Sequence, residues 1–217
     1  MEIKTKKQAN EITGGLSSPS KMPGKSWAIP ASSCKRGSNL RNKKNSICSK
    51  CYASKNRYTF TTVIKAGERR LDTISDPNWA DAMVVLIKGE KYFRWFDSGD
   101  LQNVKHLRKI VEVAERTPNC KHRLPTKEVG TVKLFLKAGG VIPDNLNIRI
   151  SADYISQLPA EVPDGCNIST CSVDGKMLGV GAYNCPATFR EGVKSCSDAK
   201  CYRCWNKSQY HINYKLH

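Results

Sequence analysis

Residues 91–114 read KYFRWFDSGDLQNVKHLRKIVEVA and indicate the fold more directly than any other segment of the chain. Residues 91–96 are rich in aromatic side chains, which favours a β-strand, and residues 97–100 have the composition of a turn. Apolar residues then recur at helical spacing at Val104, Leu107, Ile110, Val111 and Ala114. The stretch therefore predicts a strand, a polar turn and an amphipathic helix, in that order.

The same order of elements continues on both sides of this stretch. Strands are predicted over residues 26–30, 121–125 and 146–150, and helices over residues 59–71, 76–89 and 126–138. Asp76 followed by Pro77 is a typical helix start. The last strands of a full barrel are hard to find after residue 153. Strands that alternate with helices predict an α/β protein with a parallel sheet or a partial (β/α) barrel.

Composition and charge limit the class of protein. The 217 residues include 36 Lys and Arg and 19 Asp and Glu, for a net charge of +17, and 39% of them are hydrophobic. No run of 18 apolar residues is present, which excludes a transmembrane helix and predicts no membrane partner. The N-terminus has basic residues but no apolar signal segment, so a cytoplasmic, reducing location is expected.

The cysteines and the basic residues suggest three parts of the chain. We predict a basic N-terminal arm over residues 1–20, an α/β partial barrel with a cysteine loop over residues 21–160, and a cysteine-rich C-terminal segment over residues 161–217. Residues 1–57 hold 13 Lys and Arg against 2 Glu. In a reducing compartment, ten cysteines are expected to be metal ligands or reactive thiols rather than disulfides.

Cys34, Cys48 and Cys51 follow the first predicted strand as C-x13-C-x2-C. A C-x2-C turn lets two thiolates bind one metal ion or one cluster. Three cysteines suit a [4Fe-4S] cluster with one exchangeable iron, whereas structural zinc needs four ligands. Both interpretations stay open, since a histidine or a distant cysteine would complete a zinc site.

Four further cysteines close the chain as C-x10-C-x4-C-x2-C, namely Cys185, Cys196, Cys201 and Cys204. This set predicts one shared site, either a zinc ion or a second cluster. Cys120 is predicted to be a small buried side chain. The four histidines, His106, His122, His211 and His217, have no ligand-like spacing and are predicted to be surface residues or loop ends.

Polar residues follow the predicted strands at the points where these strands end. In a parallel sheet such residues meet at one edge, which commonly forms the binding site. We therefore predict a pocket for a small polar ligand, lined by Asp97, Ser98, Asp100, Lys127 and Arg149. In the alternative interpretation, Asp97 and Asp100 cap the next helix and Thr126 caps the one after it.

Several short motifs resemble those of the phage and plasmid gene product 88 family. They are KMPGKSW at 21–27, CSKCYA at 48–53, DSGD at 97–100 and CYRCW at 201–205, and the resemblance covers roughly residues 20–206. It implies a cysteine-rich phage-type protein, which would act in the host cytoplasm if it is encoded by a phage.

A looser similarity is to the radical SAM superfamily, in which three cysteines after the first barrel strand bind a [4Fe-4S] cluster. It implies a partial barrel with a cysteine-rich C-terminal extension, a cluster on Cys34, Cys48 and Cys51, and redox or radical-SAM-like activity. The superfamily spacing is C-x3-C-x2-C, and this chain has no Gly-Gly-Glu after its second strand. Binding of SAM is therefore left open.

The basic residues around the first cysteines have two interpretations. Positive charge near an anionic cluster would stabilise it and raise its reduction potential. Alternatively, the same charge predicts weak, non-specific binding of nucleic acid through Lys35, Arg36, Arg41, Lys43 and Lys44. A second hypothesis for the whole chain is accordingly a zinc-stabilised protein that binds nucleic acid or a host protein without catalysis.

Overall fold

The computed structural model describes residues 3–176 and 181–216, and in that part of the chain seven strands form one sheet. The strands are β1 (Lys25–Trp27), β2 (Tyr92–Trp95), β3 (Lys121–Thr126), β4 (Leu146–Ser151), β5 (Asn167–Ser172), β6 (Tyr183–Asn184) and β7 (His211–Lys215). They lie in the order β1-β2-β3-β4-β5-β7-β6, and every pairing is parallel. The sheet is open, because β1 and β6 stand at its two edges.

Helices connect most of these strands. They are α1 (Lys6–Thr13), α2 (Lys35–Leu40), α3 (Thr61–Thr73), α4 (Trp79–Ile87), α5 (Val104–Glu115), α6 (Val129–Lys137) and α7 (Pro186–Phe189). The first five strands lie side by side in chain order, so each connection advances the sheet by one place, as it does in singly wound α/β proteins. None of the helices in the described ranges has the length and hydrophobicity that a membrane-spanning segment needs.

The apolar core lies between the sheet and the helices that cover one of its faces. Side chains alternate along a strand, so Phe93 and Trp95 of β2 and Leu124 of β3 all point to this face. Leu107 and Ile110 of α5 pack against them, and all five side chains are fully buried. Full burial of a side chain of this size contributes about 1.5–3 kcal/mol.

The opposite face of the sheet is polar but also buried. Arg123 of β3 and Asn147 and Arg149 of β4 lie on it, and residues 203–210 cover them. The side-chain amide of Asn147 donates to the Cys204 carbonyl at 3.0 Å, and Arg149 donates to the Gln209 carbonyl at 2.9 Å. The cysteine-rich C-terminal segment therefore packs on this second face and also supplies β5, β6 and β7 to the same sheet.

The predicted α/β class and parallel sheet are confirmed. The strands predicted around residues 91–96, 121–125 and 146–150 are β2, β3 and β4, and the clearest predicted helix is α5. After residue 153, where strands are hard to find in the sequence, the structure has β5, β6 and β7. The three-part division at residues 20 and 160 stays a prediction.

Two local predictions also need correction. The helix expected at Asp76 begins at Trp79, because the Asp76 carboxylate accepts the Asn78 amide at 2.7 Å and holds a turn before the helix. The prediction that the histidines lie at the surface or at loop ends is wrong for His106 and His122, which are buried within α5 and β3. His211 is also buried, but it lies at a loop end as the first residue of β7. His217 lies outside the described residues.

Candidate metal centre

Three cysteines lie together on the loop that follows β1. Cys34 precedes α2, Cys48 lies in the short 3-10 turn Ile47–Lys50, and Cys51 follows that turn directly. The Cys51 amide donates to the Cys48 carbonyl at 3.3 Å and closes the C-x2-C turn. A Cβ atom added to Gly37 would lie 3.6 Å from the Cys48 sulfur and 3.7 Å from the Cys34 sulfur. These two sulfurs therefore face the same space beside an unsubstituted backbone position.

The first two thiols of this group have raised pKa values. The pKa of Cys34 is raised to about 12, mainly by burial and also by the nearby Asp100, Cys51 and Cys48. Burial also raises the pKa of Cys48, while the positive charge of Lys127 acts in the opposite direction. The raised pKa values keep both thiols neutral at pH 7, and coordination of a metal would deprotonate them.

The described residues, 3–176 and 181–216, contain no group of three His, Cys, Asp or Glu side chains arranged to hold a single metal ion. In an iron–sulfur cluster each cysteine binds a different iron, so the sulfurs must stand further apart than around zinc. All three thiols are half-buried, and those of Cys34 and Cys48 face the space beside Gly37.

Asp100 connects the end of β2 to the end of β3. Its carboxylate accepts the Thr126 hydroxyl at 2.5 Å and the backbone amides of Lys127 at 2.9 Å and Leu101 at 2.8 Å. Burial raises the pKa of Asp100 to about 6, and these three hydrogen bonds oppose the rise. The cap of α5 is instead Asn103, so the interpretation of Asp100 as a helix cap is wrong.

Lys127 extends from the end of β3 towards the cysteines. Its ammonium group donates to the Ala152 carbonyl and lies 4.0 Å from the Asp153 carboxylate. Burial lowers the pKa of Lys127, while Cys48, Asp153 and Asp100 raise it, in that order. Lys127 therefore places a positive charge beside the first cysteine group.

The cysteine loop is attached to the ends of β3 and β4 by charged groups. Arg36 pairs with the Asp153 carboxylate at 2.5 Å, and its backbone amide donates to the Glu128 carboxylate at 2.8 Å. The Ile47 amide donates to the Asp153 carbonyl at 2.9 Å. The predicted meeting of polar residues at one edge of the sheet thus includes Glu128 and Asp153, which the predicted pocket left out.

Asp97 and Ser98, which follow β2, form hydrogen bonds to β1 and to the segment that carries the cysteines. The Asp97 carboxylate accepts the Ser26 hydroxyl at 3.0 Å and the Tyr58 hydroxyl at 3.3 Å. Its carbonyl accepts the hydroxyl of Tyr52, the residue after Cys51, at 2.6 Å. Ser98 donates to the backbone carbonyl at position 29 at 2.8 Å. Both residues lie where the predicted pocket places them, but they form hydrogen bonds within the protein.

Arg149, the fifth residue of the predicted pocket, lies elsewhere. Its guanidinium is fully buried and donates to the Ser169 hydroxyl at 3.2 Å and to the carbonyls of Gln209, Ile168 and Tyr210. These contacts attach the C-terminal segment to β4 and β5. The structure therefore brings Asp97, Ser98, Asp100 and Lys127 to one edge and places Arg149 under the C-terminal segment.

The cysteines of the C-terminal segment form a second group, on the face of the sheet opposite the helices. Cys185, which precedes α7, and Cys204, in the 3-10 turn Arg203–Trp205, are buried in one small cluster. Cys196 packs against that cluster, and the Cys201 amide donates to the Cys196 carbonyl at 3.0 Å. Cys120 and Cys166 are buried in the main core, as predicted for Cys120.

The basic residues predicted to contact nucleic acid fall into two sets. Lys35 donates to the Gln102 carbonyl at 2.5 Å, and Arg36 pairs with Asp153, so both help to attach the loop. Arg41, Lys43 and Lys44 are exposed, and Arg41 donates to the Ala31 carbonyl at 3.3 Å.

Comparison with known proteins gives one match. The model of a family described as gene product 88 matches residues 2–212, almost the whole chain. No curated protein and no solved structure matches the chain.

Proposed function

We propose that this chain, which belongs to the gene product 88 family, is an iron–sulfur protein that binds one [4Fe-4S] cluster through Cys34, Cys48 and Cys51. The observation that carries the proposal is the group of three half-buried cysteines on the loop after the first strand, in which the sulfurs of Cys34 and Cys48 face the same space beside Gly37. When bound, such a cluster supplies one-electron redox chemistry and an iron that lacks a cysteine ligand.

The surrounding residues support this role by charge and by position. Lys127 lies near Cys48 and offsets the negative charge that thiolates and cluster would bring. Arg36, Glu128 and Asp153 hold the loop against the strand ends and fix the positions of its cysteines. The hydrogen bond from Tyr52 to the Asp97 carbonyl fixes the backbone next to Cys51.

More specifically, we propose that the protein has a radical-SAM-like activity. Five strands in chain order, with the cysteines after the first, support it. The Asp100 carboxylate is already occupied by three hydrogen bonds, so it is a poor partner for the amino group of SAM. We expect any ligand of the fourth iron to be held near Lys127 instead, because its ammonium group lies beside Cys48 and favours an anionic group.

Anaerobic purification followed by analysis of iron, acid-labile sulfide and zinc tests the proposal. The wild-type protein should be brown, and Cys48→Ala should lose the iron bound at this site. Cys120→Ala is the matched control, because that buried thiol belongs to the apolar core. A colourless wild-type protein with stoichiometric zinc would favour the zinc-stabilised alternative. If SAM changes the EPR spectrum of the reduced protein, the radical-SAM-like form gains support; no change would remove it.

A further inference from the structure

Arg123 is a buried cation that lacks an anionic partner in the described part of the chain. It lies on β3, on the polar face of the sheet, and is 6% exposed. Its Nη2 donates to the Tyr214 hydroxyl at 2.8 Å, and its guanidinium lies 5.6 Å from the Trp205 ring and 5.4 Å from the Tyr214 ring. No acceptor is present for its Nε among the described residues. A guanidinium does not lose its proton in proteins, so we expect an anionic group to bind beside it.

Three cysteines lie close enough to this cation to affect its charge. The Cys204 sulfur lies 3.0 Å from the Tyr214 hydroxyl, which itself accepts from Arg123. Cys185 shares the same buried cluster with Cys204, and Cys196 packs against it. As thiolates, all three would favour the charged form of Arg123. The Cys201 sulfur is 3.8 Å from the Tyr183 hydroxyl, at the side of Cys196.

We propose that Cys185, Cys196, Cys201 and Cys204 bind a second iron–sulfur cluster, whose negative charge is balanced by Arg123. The Tyr214 hydroxyl donates a hydrogen bond to the Cys204 sulfur of this site. Four thiolates on a cluster bring a net negative charge, which is the missing partner of the buried guanidinium.

A zinc ion with four thiolates would also be negatively charged, so the metal analysis has to distinguish zinc from a cluster at this site. The site is also separate from the first one. It lies under the C-terminal segment against β3 and β7, whereas the first lies on the loop beyond the ends of the strands.

Metal analysis of anaerobically purified variants tests this second site independently of the first. Cys185→Ala and Cys204→Ala should each retain about half of the wild-type iron and sulfide, because the first cluster remains. Cys48→Ala should retain the iron and sulfide of the second site only. Cys166→Ala, which changes a buried thiol of the main core, should retain all the iron and sulfide of the wild type. Wild-type protein that carries iron for a single cluster, or zinc that is lost with Cys185, would overturn the proposal.

Arg123→Gln provides a test that leaves all the cysteines in place. A positive charge beside a cluster favours the reduced state, so its removal should lower one of the two reduction potentials and leave the other unchanged. Arg123→Lys, which keeps the charge, should restore part of the shift. If neither variant moves a potential, or if wild-type titration shows one redox centre only, Arg123 does not face a cluster and the assignment falls.

Discussion

Gly37 has no side chain, which leaves space beside the sulfurs of Cys34 and Cys48. We predict that Gly37→Ala loses most of the iron at the first site, because its Cβ would lie 3.0 Å from the Cys34 Cβ atom and occupy the space shared by two sulfurs. Gly37 lies in α2, so Ala alone should favour the helix by about 1 kcal/mol. Iron and sulfide analysis together with urea unfolding would separate the two effects.

Gly130→Ala is the matched control for this variant. Gly130 also lies in a helix, α6, and a Cβ atom added there would have no described residue within 4 Å beyond its own helix turn. It should gain the helix stabilisation and keep all its iron. Normal iron content in Gly37→Ala would mean that the cluster does not use this space.

His106 is expected to make the fold sensitive to acid. Burial lowers the pKa of His106 to about 3, and both ring nitrogens have no hydrogen-bond partner in the described part of the chain. As the pH falls from about 6.5 towards 3, only the unfolded state takes up the proton, so the folded state loses stability through this window. The stability that a neutral His106 contributes is therefore complete above about pH 6.5 and is lost below it.

The free energy of unfolding of the wild-type protein falls between pH 7 and pH 5. We predict that His106→Leu makes this fall smaller by about 2 kcal/mol. Urea titrations of variant and wild type at the two pH values would measure the difference. Both proteins keep the same cysteines, so metal loss at low pH affects them equally. His122, which is buried and also has its pKa lowered to about 3, accounts for part of the remaining dependence. Equal pH dependence in the two proteins would contradict the assignment.

Among the elements, the strands with an apolar face could be predicted from the sequence and the polar ones could not. Residues of β2, β3 and β4 alternate between a face in the apolar core and a polar face, which gives a clear pattern. β5 and β7 instead bury Thr170 and Asn213, whose side chains hydrogen-bond to each other at 3.1 Å. Such pairs form only after distant segments have met, so no local pattern indicates them.

The same distinction applies to the candidate site. The strand ends at Asp100 and Lys127 could be predicted, because parallel strands end at one edge of a sheet. The ion pair between Arg36 and Asp153 joins residues far apart in the chain, and no sequence motif predicts it. Arg149 could not be distinguished from an edge residue, because its position within β4 and the segment that covers it depend on the complete fold.

Over the whole molecule, the positive charge should produce weak binding to nucleic acid. We predict that the double variant Lys43→Glu and Lys44→Glu lowers affinity for DNA or RNA and reduces the slope of log affinity against log salt by about 2. Both lysines are exposed, so the fold and the iron content should not change. Fluorescence anisotropy at several salt concentrations would measure the effect. If the double variant shifts the reduction potential of the protein and leaves its affinity for nucleic acid unchanged, the positive charge of these lysines acts on the cluster.

The strand order β5-β7-β6 has a consequence for how the protein is made. β6 pairs with β7 alone, so it has no place in the sheet until the ribosome has synthesised β7 and released it from the exit tunnel. The loop with Cys34, Cys48 and Cys51, by contrast, rests on β1 to β4, which emerge much earlier. Domains fold as their segments appear. We therefore expect the first cysteine group to assemble during translation and the second only after β7 has been added.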